Sequence, residues 1–364
     1  MTARIVVEPR RRAGVPLVAL VSVVSVLAAF VVAGVFLQAT GHDPLAVYAR
    51  IVRTSVGSSR ALSETLVSAT PLILTGVAAA LAFRMLIWNI GGEGQLYMGA
   101  IFGAGAGIAL STAPTVIALP AVLLAGGLGG ALFAGVAALP RVTLGTNEII
   151  TTLMLNFVAL HLMNFLVFGS FSPWRDPAST NFPQGRPLTA AASLPELWRR
   201  LDLGLPVAVV VAITLWWALR STRWGYEFRI AGDSPGTARY AGIPVSRKVF
   251  GVFLLSGAIA GLAGAILVSG VVGSLEPRAL AVNLGFTGII VASLARLNPL
   301  AVIPVALLMG ALNSAGPALQ TIRVPSSTVL MIQGLILVFA VSGSFLLEHR
   351  VRVRRVTPTE AVGT

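Results

Sequence analysis

The most constraining feature of this chain is a series of long apolar runs that are never interrupted by the alternation a half-buried strand would show. The first reaches from Val15 to Leu37. Later ones cover about 63–83, 86–110, 116–139, 147–168, 205–220, 249–270, 279–295, 299–318 and 327–347. A hydrocarbon layer about 30 Å thick is crossed by roughly 20 apolar helical residues. Only helices and closed barrels satisfy their backbone groups in lipid, and continuous runs of this length favour helices. Composition agrees: 56% of the 364 residues are hydrophobic and 11% are charged, against about a quarter charged in a soluble domain. The expectation is an all-α, multi-pass protein of the cell membrane with about ten transmembrane helices.

The basic residues set the expected orientation. Arg4, Arg10, Arg11 and Arg12 precede the first run, which is too long for the apolar core of a signal peptide. This flank predicts a cytoplasmic N-terminus. Alternation from that start places Arg84, Arg141, Arg220, Arg223, Arg229, Arg239, Arg247, Lys248 and Arg296 on the cytoplasmic side. The tail arginines Arg350, Arg352, Arg354 and Arg355 join them, as an even number of spans requires. The net charge of +13 is thus a matter of topology and predicts no nucleic-acid partner. Three parts follow: a basic arm over 1–14, a single transmembrane domain over 15–348, and a basic cytoplasmic tail over 349–364. Within the membrane domain the Pro- and Ser-rich segment 169–204 reads as an outer loop, with Trp174 and Trp198 at headgroup level. Segment 220–248 reads as a cytoplasmic loop.

Several chemistries lack their residues. With no cysteine, disulfides, thiolate catalysis and zinc–cysteine sites are excluded. A P-loop needs a lysine after a glycine-rich turn, and the only lysine, Lys248, sits in "PVSRKVF". The histidines His42, His161 and His349 stand far apart, without an HExxH. No catalytic constellation is visible, so the chain reads as a non-enzyme with no cofactor of its own.

Two stretches carry polar residues in unusual places. In "WNIGGEGQLYMGA" (Trp88 to Ala100), Glu93 stands among glycines inside an apolar run. A carboxylate in lipid costs roughly 2.5–3.5 kcal/mol on insertion scales. Gly91 and Gly92 would break the helix and leave Glu93 in the next first turn, where the helix dipole favours an anion. Arg84 is a second possible partner. The functional alternative is that Asn89, Glu93 and Gln95 line a polar path or gate at a broken helix. Asn156 is a further path candidate, although polar residues inside spans more often join helices. In "AGDSPGTARYAGIPVSRK" (Ala231 to Lys248), Asp233 or Ser234 caps a helix of about two turns. Pro235 suits its first turn, and Gly242 with Pro244 ends it. A helix this short needs something to pack on.

These stretches resemble the permease family that serves ABC importers of ribose-type sugars, nucleosides and branched-chain amino acids. Its Gly-Asn/Asp-x-x-x-x-Ala-x-x-x-Gly-Ile pattern is matched by Gly232, Asp233, Ala238, Gly242 and Ile243. Its Asn-Ile-Gly-x-Glu-Gly-Gln signature is matched by Asn89, Ile90, Gly91, Glu93, Gly94 and Gln95. "GTNEIITTLMLNFVALHL" (Gly145 to Leu162) resembles the nucleoside-transporting branch. The resemblance implies a permease that moves nucleosides inward by alternating access. Simple sugars such as ribose, or branched-chain amino acids, are the alternatives, and an ion-coupled secondary transporter is a more distant one. It implies three partners: an ATP-binding subunit using ATP and magnesium, a second permease subunit (identical or paralogous), and an extracytoplasmic substrate-binding protein. It also implies that Asp233, Pro235, Ala238, Arg239, Tyr240 and Gly242 belong to a coupling helix docked on the ATPase, with Arg239 and Tyr240 in contact.

Overall fold

The computed structural model describes residues 2–9, 14–169, 172–179 and 181–356. Arg10, Arg11 and Arg12 of the basic arm lie outside the described residues, as does the tail from 357 onward. In chain order the elements are β1 (Thr2–Pro9), α1 (Val15–Ala39), α2 (Pro44–Val56), α3 (Ser59–Arg84), α4 (Gly92–Ala109), α5 (Thr115–Leu144) and α6 (Glu148–Phe168). Then come β2 (Glu196–Trp198), β3 (Leu201–Asp202), α7 (Gly204–Ser221), α8 (Arg223–Asp233), α9 (Pro235–Tyr240) and α10 (Val245–Ile266). The chain closes with α11 (Pro277–Leu280), α12 (Leu284–Leu294), α13 (Pro299–Gln320), α14 (Ser327–Glu348) and β4 (His349–Val356).

Among the described residues, nine helices are long and apolar enough to cross a membrane. The expected span 86–110 is realised as the glycine-rich α4, which is not one of the nine. The expectation of a multi-pass helical protein holds. Two helices were not foreseen, α2 and α8. Each has one buried stripe and an otherwise exposed surface: Val47, Ile51 and Ser55 in α2, Gly225, Phe228 and Ala231–Gly232 in α8. Neither carries an apolar run long enough to span.

The chain divides into two compact units, Met1–Tyr48 with Val324–Thr364, and Ala49–Arg323. In the first, α1 packs on α14, with Gly343 against Ser25. The Tyr48 hydroxyl donates to Phe30 O at 2.5 Å, and the two rings meet edge to face at 5.4 Å. β1 and β4 pair antiparallel, Thr2 opposite Val356 and Pro9 opposite His349.

In the second unit α3 is the central helix, enclosed by α7, α10, α12 and α13. Its side chains from Ala69 to Phe83 are buried almost without a break. On its other flank α10 packs tightly on α4 and α5. Glycines make that approach possible. A Cβ on Gly99 or Gly130 would collide with the α10 backbone at Gly261 or Gly257, and one on Gly264 with Leu96 O in α4. In lipid, where burying apolar surface no longer drives association, such backbone contact is the main source of helix–helix attraction. Gly264→Val forces backbone apart on two helices, beyond the usual overpacking cost of about 1–3 kcal/mol. The expected result is a fall in the thermal unfolding midpoint of detergent-solubilised protein and a loss of membrane-inserted chain. Gly236→Val, where a Cβ meets open space, should change neither.

The described residues of segment 172–204 fold back on this unit. Trp174 is packed on α4: its indole lies against Gly105 and donates to Ile101 O at 3.0 Å. A nearby carbonyl acceptor and a flat glycine surface satisfy the ring's polar and apolar needs together. Trp198 remains exposed at the β2–β3 turn.

Candidate functional site

α3 ends with Met85 N donating to Ala82 O, Leu86 N to Phe83 O and Ile87 N to Ala82 O. This closing pattern needs one residue in the left-handed region, and Leu86 supplies it at φ 56°. α4 restarts where Gln95 N donates to Gly91 O at 2.9 Å. Between them the backbone of 85–91 is non-helical and largely buried, so its polar groups require partners.

Side chains of α6, with Asn89 of the segment itself, partner several of them. From α6, Glu148 Oε1 accepts from Trp88 N (3.4 Å), Thr152 Oγ1 from Ile90 N (3.2 Å), and Asn156 Oδ1 from Gly94 N (2.8 Å). Asn156 Nδ2 returns a bond to Ile90 O at 3.0 Å. Asn89 Oδ1 accepts from Gly91 N and from Gln95 Nε2, both at 3.0 Å, while its Nδ2 reaches Gln95 Oε1 (3.2 Å) and Ser256 Oγ of α10 (3.1 Å). Ser256 Oγ in turn donates to Ala78 O in α3. Arg141 pairs with the far oxygen of Glu148 at 3.1 Å. Asn89, Gln95 and Asn156 are thus brought together, all buried, around one helix break. The sequence reading missed Thr152 and Ser256. Glu148, Thr152 and Asn156 recur every four residues, which puts them on one helix face. That spacing was the available signal.

Glu93 faces the other way. One carboxylate oxygen accepts from the Tyr97 hydroxyl and the other from Gly285 N, both at 2.5 Å. Gly285 is in the first turn of α12, whose preceding residue Asn283 is left-handed (φ 60°) and offers no side-chain cap. Glu93 therefore caps the N-terminus of a second helix as well as occupying the first turn of its own, so two helix dipoles favour one anion. The expected alternative partner, Arg84, is not used: it is exposed on the surface. The carboxylate is 2% exposed. A Cβ on Gly285 would collide with Glu93 N, so glycine is what lets the two helix starts touch. Tyr97 and Gly285 went unnoticed in the sequence, Tyr97 one turn from Glu93 and Gly285 nearly two hundred residues away.

The second candidate region is α8–α9. Ser234, not Asp233, caps α9: its Oγ accepts from Thr237 N and lies 2.8 Å from Thr237 Oγ1. Asp233 is the exposed last residue of α8. Pro235 opens α9, and Gly242 (φ 77°) closes it, with Gly242 N on Arg239 O and Ile243 N on Ala238 O. Ala238 is 0% exposed and anchors the helix, whereas Tyr240 is 97% exposed and Arg239 also faces outward. α8 is tied to the start of α10 by Glu227, which bonds Lys248 Nζ at 2.6 Å and Arg223 Nε at 3.0 Å. The Lys248 ammonium, then Arg223, holds the Glu227 carboxyl below the usual carboxylate range. This tie therefore persists to mildly acidic pH and loosens only as pH falls through that lowered value.

The sequence profile of the family described as "Branched-chain amino acid transport system / permease component" matches residues 61–341. The chain belongs to this permease family. The matched residues run from α3 nearly to the end of α14 and include both candidate regions. Similar proteins include a glucose ABC transporter permease of Haloferax volcanii, 34% identical over 97% of this chain and 95% of that protein. A nucleoside ABC transporter permease of Lactococcus lactis subsp. cremoris is 27% identical over 90% of this chain and 92% of its own length. A guanosine ABC transporter permease of Bacillus subtilis is 28% identical over 89% and 93%. No solved structure matches the chain. The chain is thus an ABC importer permease of the nucleoside/simple-sugar branch and a multi-pass cell-membrane protein. As a permease component it is a transport subunit, and its family works with an ATP-binding subunit and a substrate-binding protein.

Proposed function

We propose that this chain moves nucleosides into the cell by alternating access, driven by ATP and magnesium on a partner ATPase that docks on α9. The observation that carries the substrate is that permeases named for nucleosides and for guanosine align with about nine-tenths of the chain. The coupling role rests on geometry: a short helix fixed at both ends, with Ala238 turned in and Arg239 and Tyr240 turned out. Pro235 and Gly242 hold its ends and Asp233 joins it to α8, so a push on α9 is passed to α8 and, through Glu227 and Lys248, to α10. With N- and C-termini in the cytoplasm, segment 220–248 faces the ATPase and segment 169–204 the binding protein. A second permease, identical or paralogous, completes the path. Asn89, Gln95 and Asn156 frame its gate by fixing the break between α3 and α4, and Glu93 joins that break to α12.

A second reading, glucose, is favoured by the 34% identity to the Haloferax permease. Uptake of labelled guanosine, adenosine and glucose in cells with and without the gene separates the two. Gene-dependent nucleoside uptake that excess glucose, ribose or leucine leaves intact is the expected result. Gene-dependent glucose uptake without nucleoside uptake would replace the first reading by the second.

A further inference from the structure

Segment 185–204 is strapped across the end of α10, where the helix passes into a π turn, Leu267–Val272, and stops at Gly273 (φ 76°). Two backbone bonds pin the strap: Leu188 N to Gly273 O at 2.8 Å and Leu194 N to Ser269 O at 2.9 Å. Its end carries Asp202, which is 3% exposed. Asp202 Oδ1 accepts from Gly204 N at 2.7 Å, but Oδ2 is buried and has no hydrogen-bond partner among the described residues. That oxygen rests on the Cα side of Gly270, in the space a Cβ there would fill, with Leu194 alongside. π turns occur frequently at functional positions.

We propose that Asp202 is a proton-operated clasp, closing the strap on the π turn when its carboxyl is neutral and releasing it when the carboxyl ionises. An ionised carboxyl would leave charge on a dry oxygen facing a glycine and a leucine, which is far costlier than a neutral group with one free oxygen. No cation among the described residues offsets it, and Arg60 of α3 pairs with Glu64. The facing strand β2 contributes Glu196, directly opposite Asp202. Arg200, two residues earlier, is turned to Glu64 of α3 at 3.6 Å, and Arg199 is exposed. α7 has no charged residue before Arg220, and α10 with its π turn has none between Lys248 and Glu276. Burial accordingly pushes the Asp202 carboxyl above the ordinary range. Gly204 N–H opposes that shift and Glu196 reinforces it. For a group whose clasped value is raised, the contribution to closure is complete below the ordinary aspartate value. It is lost as pH rises through the clasped value.

The chain has no cysteine, so one introduced thiol reports on the strap. Ala192, 0% exposed, is on the strap's inner face against Val122 and Ala265, while Leu197 is 53% exposed at the strap surface. Ala192→Cys and, as control, Leu197→Cys are labelled with maleimide in the intact membrane complex from pH 5 to 9. The ratio of the two rates cancels thiol ionisation. It is expected to rise with pH, about tenfold for each pK unit separating the clasped from the free carboxyl, and to stay low throughout in Asp202→Asn. If Ala192→Cys does not assemble, the near-isosteric Ser193→Cys serves. A flat ratio in the parent, or a rise that persists unchanged in Asp202→Asn, overturns the clasp.

Discussion

Replacing Arg239 with Glu and Tyr240 with Ala together should reduce ATP-driven uptake to background while the subunit still folds and inserts. Both side chains face solvent on α9, and exposed substitutions away from special backbone positions usually stay within about 0.5 kcal/mol of neutral. The loss would therefore be one of coupling. Copurification of the partner ATPase and the thermal midpoint of the permease, measured side by side, separate the two effects. Gly242→Val serves as a contrast. Its φ of 77° is strained for a β-branched residue by about 1–2 kcal/mol, so the closing turn of α9 should loosen and the midpoint should fall along with uptake. Full uptake in the double variant would remove α9 from the coupling route.

The largest expected loss of stability belongs to Glu93→Ala. It strips an acceptor from Gly285 N–H and from the Tyr97 hydroxyl, both buried. Each donor left unpaired costs about 1–3 kcal/mol, and α12 loses the cap that Asn283 does not supply. A combined loss of about 2–5 kcal/mol should show as a much lower unfolding midpoint and little inserted protein. Tyr97→Phe removes one donor cleanly and should cost far less. Glu93→Gln presents an amide donor to one of two donors and should fall between. A residue whose work was only to touch substrate would behave differently, raising KM in the Gln variant with the midpoint unmoved.

Much of the fold was legible because the bilayer imposes one length and one periodicity on every crossing. Each expected run has its helix, and α4 starts at Gly92 beside the glycines, although the non-helical segment before it reaches back to Met85. Helices that do not cross carry no such mark, so α2 and α8 were silent. Their single buried stripes come from tertiary packing. At the candidate site the residue types were readable and the pairings were not. Glu93 announced itself as a carboxylate out of place, but its partner on α12 is a backbone N–H, which carries no mark in the sequence. Arg84, the obvious charge nearby, points elsewhere. Asn89, Gln95 and Asn156 were recognised one at a time. What unites them is the non-helical backbone around 88–91, which only becomes a demand once the helix is known to stop at Arg84. For α9 the local chemistry was nearly complete in the sequence, and the choice between Asp233 and Ser234 depended only on where α8 stops.

The most direct test of the account is accumulation of labelled guanosine in proteoliposomes that contain this permease, its ATPase and its binding protein. Accumulation against a gradient that requires ATP at the ATPase face, and that an imposed proton or sodium gradient cannot replace, is the predicted result. Accumulation driven by an ion gradient without ATP, or a complete failure to carry guanosine while glucose accumulates, would contradict it.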